Sequence, residues 1–149
     1  VSLWKRECMQ EAEAALRAAS LAKRPGRYQL EAAIQSAHAT RAWRGDADWE
    51  AIVLLYRALS ELTGSPVAQL NAAAAIARRD GPEQGLEAAE EVAHLYPVLN
   101  DYQPYWALRA DLCARLGRAE VARAAYAEAI ARERDRGVIA FLLQRRDAL

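Results

Sequence analysis

The feature that most narrows what this chain can fold into is a period. Gly45, Gly81 and Gly117 stand 36 residues apart, each between one stretch of helical apolar spacing and the next. Self-similarity at an interval of roughly 20–50 residues marks stacked supersecondary units, because one such unit cannot bury its apolar face alone. The stretch RADLCARLGRAEVARAAYAEAI, residues 109–130, shows what the unit is: two short amphipathic helices hinged at Gly117. They carry Ala110, Cys113, Ala122, Ala125 and Ala129 where a core helix normally carries Leu or Ile. Small residues at a crossing let two helix backbones approach closely.

Composition agrees. Ala fills 35 of 149 positions, whereas Ile, Val and Thr together fill 14. Ala is the best helix former and β-branched residues favour strands, so the chain reads as all-α. The spacing predicts eight helices, over 3–23, 27–43, 48–62, 66–79, 82–95, 102–116, 119–132 and 136–147. Asp48 is placed to cap the third. Ser65 caps the fourth, with Pro66 in its first turn, and Gly81 then Pro82 opens the fifth. The 102–116 helix has a second apolar face of Tyr105, Leu108, Leu112 and Leu116, as a middle layer of a stack requires. Ile139, Leu142 and Leu143 point the last helix inward, as a terminal cap.

The period and the small–aromatic–small pattern match tetratricopeptide (TPR) hairpins, whose repeat is about 34 residues. In residues 102–132, Trp106 takes the early aromatic position and Ala110 the close-approach position. Ala122, Tyr126 and Ala129 complete the second helix, and Arg109 stands where the pattern prefers Leu. The units opening at Gly45 (Ala51, Leu55, Ala58) and Gly81 (Gly85, Ala89, Val92) are looser. The expectation is one TPR-like α-solenoid over 1–149, a right-handed stack of antiparallel hairpins.

Charge and motif content exclude several classes. Twenty basic residues balance twenty acidic ones, unlike the basic excess of a nucleic-acid binder. Cys8 and Cys113 form no disulfide framework, and no apolar run reaches membrane-span length. The chain carries no HExxH, CxxC, GxSxG or phosphate-cradling glycine loop. We therefore expect no enzyme, metal or cofactor. Glu87, Glu90 and Glu91 read as a solvated helix face, and Cys113 as a small core residue. The absent initiator Met suggests a piece of a longer chain or a trimmed one.

Polar residues that interrupt apolar stretches are the candidates for partner contact. They are Tyr28, Gln29, His38, Asn71, Trp106, Arg109, Asp111 and Arg115. Helices of the first type line the concave face of a TPR-like stack, and Tyr28, Gln29 and Arg109 sit on such helices. Asp111 and Arg115 are spaced to pair. Hydrogen bonding between repeats is the competing use of these groups, since buried polar atoms need partners.

Six stretches, in this order, resemble the C-terminal extension of a bacterial group of extracytoplasmic-function RNA polymerase sigma factors: SLW, RPGRYQLEAAIQSAHA, DWEAIVLLYRAL, SPVAQLNAAAA, GPEQGLEAA and the 109–130 segment. The most specific pieces are Tyr28–Gln29–Leu30, Ser65–Pro66 with Leu70–Asn71, Gly81–Pro82 with Gly85–Leu86, and Arg109–Ala110–Asp111 with Leu116–Gly117–Arg118. The chain departs from that family's pattern at Ala72, where Arg is usual, and at Tyr105–Trp106, where a His is usual. The resemblance implies a TPR-like regulatory module following the sigma-2 and sigma-4 domains, which these residues lack. It implies a cytoplasmic protein partner: the sigma core, RNA polymerase or another regulator, among them the small DGPF (YCII-like) proteins encoded beside such factors. It implies no direct promoter binding by this segment. The rival readings are a free-standing TPR-like adaptor and a helical small-ligand sensor.

Overall fold

A computed structural model describes residues 10–11, 26–44 and 47–149, with the backbone alone for 40–44. The expected helix over 3–23 lies outside the described residues apart from Gln10 and Glu11, as do Cys8 and the turn glycine Gly45. Among the described residues every regular element is helical. The helices are α1 (Arg27–Arg44), α2 (Trp49–Thr63), α3 (Pro66–Arg79), α4 (Pro82–Leu95), α5 (Gln103–Arg115), α6 (Ala119–Ala131) and α7 (Arg136–Asp147), with a 3-10 turn at Pro97–Asp101 between α4 and α5.

Their ends follow local chemistry. Asp48 accepts a hydrogen bond from the Ala51 N–H at 2.9 Å and so caps α2. Asp135 does the same for α7, accepting from Gly137 and Val138 at 2.7 and 3.0 Å. Gly64 closes α2 in the left-handed region, φ 65°. Of the described members of the period, Gly117 has φ 72°, where a side chain costs about 1–2 kcal/mol, and Gly81 has φ 113° and ψ 168°, a region essentially confined to glycine.

The chain divides into two compact units, one ending at Ala68 and one spanning Gln69–Leu149. In the first, α1 packs on α2 around Leu30, Ile34, Leu59 and Ala68.

In the second, consecutive helices pack on one another as hairpins, most extensively α5 on α6. Ala110, Ala122 and Ala129 are fully buried and Ala125 and Tyr126 nearly so. This is the small-residue crossing expected from residues 109–130. The other face of α5 is apolar too. Tyr105 and Leu108 join the cluster of Leu70, Ala89, Val92 and Leu99, and Leu112 and Leu116 pack with Ala77 and Leu86. At the α3–α4 crossing a Cβ on Gly85 would lie 2.2 Å from the Ala77 Cβ, so only glycine permits that approach. Leu142 of α7 is buried, with Ile139 and Leu143 half-buried, but Val138 and Phe141 remain exposed.

Candidate functional site

The candidate residues divide between the units. Tyr28, Gln29 and His38 belong to the first. Tyr28 is largely exposed at the start of α1. Gln29 turns back to accept a hydrogen bond from the Gly26 N–H, a capping role. His38 sits half-buried with its ring edge-on to Trp49 at 6.1 Å and tilted to Tyr56 at 6.3 Å, joining α1 to α2. Burial pushes the Tyr56 phenol above its ordinary value.

The other five belong to Gln69–Leu149. Asn71 is exposed on α3. The remaining four lie on α5, and each reaches another element. Arg109 Nε donates to Glu90 of α4 at 2.9 Å. Asp111 lies 3.9 Å from Arg115 but accepts a closer bond, 2.8 Å, from Arg145 of α7. Arg115 also reaches the Ala77 carbonyl of α3 at 3.5 Å. Trp106 donates its indole N–H to the Asn100 carbonyl at 2.8 Å.

Trp106 is the centre of the densest of these arrangements. Arg132, which caps the C-terminus of α6, donates to the same Asn100 carbonyl at 2.8 Å and lies over the indole at 5.3 Å from its centroid, with Arg109 at 5.9 Å. Both distances are within cation–π range. Tyr105 packs edge-on to the indole. One carbonyl of the 3-10 turn is thereby pinned to α5 and α6 together. Sequence reasoning found Trp106 and Arg109 through the repeat pattern. It missed Arg132, Arg145 and Asn100, which share no short spacing with the residues they hold.

Burial pushes the Cys113 thiol above its ordinary value of 9.0, which disfavours the thiolate a nucleophile needs. Among the described residues no group of three or more His, Cys, Asp or Glu could hold a metal, and no helix is long and apolar enough to cross a membrane. What α5 offers is polar groups that fix hairpins in register.

No family model matches the chain. It is similar to a Rhizobium meliloti (strain 1021) protein named "Uncharacterized protein R00370", with 40% identity over 147 residues, covering 99% of this chain. The chain spans only 34% of that relative's length.

Proposed function

We propose that this chain is a regulatory, protein-interaction module of an extracytoplasmic-function sigma factor, acting in the cytoplasm on transcription initiation and carrying no catalytic activity of its own. The observation that supports this best is where the resemblance residues fall. Arg109–Ala110–Asp111 places a fully buried alanine between two side chains that tie α5 to α4 and α7. Gly85–Leu86 sits where α4 closely approaches α3 at Ala77, and Leu116–Gly117 forms the α5–α6 hinge. Three of the stretches that resemble the sigma-factor extension are thus joints between helices, while Tyr28 and Asn71 of the other stretches face solvent.

The relative's length favours this reading over a free-standing adaptor, since its homologous stretch is about a third of a longer protein. A stack of hairpins offers an extended surface for another protein segment, and the zero net charge suits that better than phosphate binding. The test is the affinity of the purified parent factor, with and without residues 1–149, for purified RNA polymerase core. A changed affinity is expected. An identical affinity, together with a parent gene that encodes no sigma-2 or sigma-4 domain, contradicts the proposal.

A further inference from the structure

Leu95 and Val98 are 60% and 66% exposed, at the corner where α4 stops and the 3-10 turn begins. The corner is firmly held. The Tyr96 N–H donates to the Val92 carbonyl and the Leu99 N–H to the Tyr96 carbonyl, each at 2.9 Å. The Tyr96 hydroxyl accepts from Gln69 at 3.1 Å. Leu99 is buried at 2% exposure, and the Asn100 carbonyl carries the bonds from Trp106 and Arg132. Two large apolar side chains are thus presented on fixed backbone rather than on a fraying segment, so docking there carries little ordering cost.

The unpaired charge beside them is acidic. Glu91 and Glu87 precede Leu95 by one and two helical turns and share its flank, and Asp101 ends the 3-10 turn. All three are exposed, and none is joined to an arginine in the ion pairs of the described residues. The neighbouring cations already have carboxylate partners, Arg109 with Glu90 and Arg132 with Glu128. An apolar pair in an uncompensated acidic surround selects against a polyanion.

We infer that this corner docks a basic amphipathic helix of a protein partner. The helix lays its apolar face on Leu95 and Val98 and sets Lys or Arg against Glu87, Glu91 and Asp101. The inference rests on the protein-interaction reading above and deepens it by naming the partner's chemistry.

The test uses the 149-residue chain and a short helical peptide of leucine and lysine, followed by backbone NMR and by affinity. The same peptide with glutamate in place of lysine is the control. Amide shifts are expected to centre on residues 87–101. The triple variant Glu87→Gln, Glu91→Gln, Asp101→Asn and the double variant Leu95→Ser, Val98→Ser should each weaken binding by about tenfold. Removing three carboxylates elsewhere, by Glu50→Gln, Glu61→Gln and Glu120→Gln, should leave it unchanged. Circular dichroism confirms that each variant is folded. An equal loss in that remote triple variant, equal affinity for the glutamate peptide, or shifts centred on Val138 and Phe141 would overturn the inference. No promoter or polymerase enters this measurement, so it fails or succeeds independently of the transcriptional reading.

Discussion

Gly85 illustrates how one residue sets the spacing of two helices. Its φ is ordinary, so the demand is for space. A methyl group there would press on the Ala77 Cβ at 2.2 Å and its Cα at 2.7 Å. Gly85→Ala should therefore lower stability by about 1–3 kcal/mol through overpacking, read as a shift in the urea midpoint. An unchanged midpoint would mean that α3 and α4 are further apart than described. Ala110→Leu and Ala122→Leu, at fully buried positions, should cost a similar amount for the same reason. These positions were legible because the repeat fixes which residues meet. The partner of Asp111 was not, because Arg145 lies 34 residues away and no local period links them.

Burial also makes a pH prediction at this scale. It holds the Cys113 thiol and the Tyr105 phenol above their ordinary values of 9.0 and 10.0. In the unfolded chain both release protons at those ordinary values, while the folded chain retains them. Above about pH 9 the native state therefore binds more protons than the unfolded one, and stability falls as pH rises. Urea midpoints at pH 8 and pH 10 should show the decline, and Cys113→Ala should shrink its early part. A midpoint that rises over this interval contradicts the assignment.

At the scale of elements, the helix starts were readable where a proline or a cap sits on the boundary. Pro66 and Pro82 open α3 and α4 where the sequence puts them. The 3-10 turn was not readable. LNDY signals a break, but the ordered turn depends on Leu99 reaching the core and on Trp106 and Arg132 sharing one carbonyl. Those are tertiary facts. α7 is the element most dependent on its cap, since it packs on one side and leaves Phe141 exposed. Asp135→Ala removes the acceptor for two N–H groups and should destabilise α7 by about 1 kcal/mol. Amide exchange at Gly137 and Val138 should speed up while exchange in α5 stays unchanged. Equal acceleration in both helices would mean that α7 does not open by itself.

For the whole molecule, helical hairpins followed from a glycine period and an alanine-rich composition, and the described residues carry them in each unit. The candidate site was half legible. Four of its residues sit on α5, and each is engaged in tying elements together, which single-residue reasoning cannot separate from partner contact. The function proposed above is regulation of the sigma factor to which the chain would belong. Run-off transcription from the parent factor's own promoter, comparing the full-length protein with one lacking residues 1–149, tests it most directly. A changed transcript yield from the truncated factor is expected, with no promoter binding by the isolated 149-residue chain. Equal yields from both forms, or tight and salt-sensitive binding of the isolated chain to promoter DNA, would contradict it.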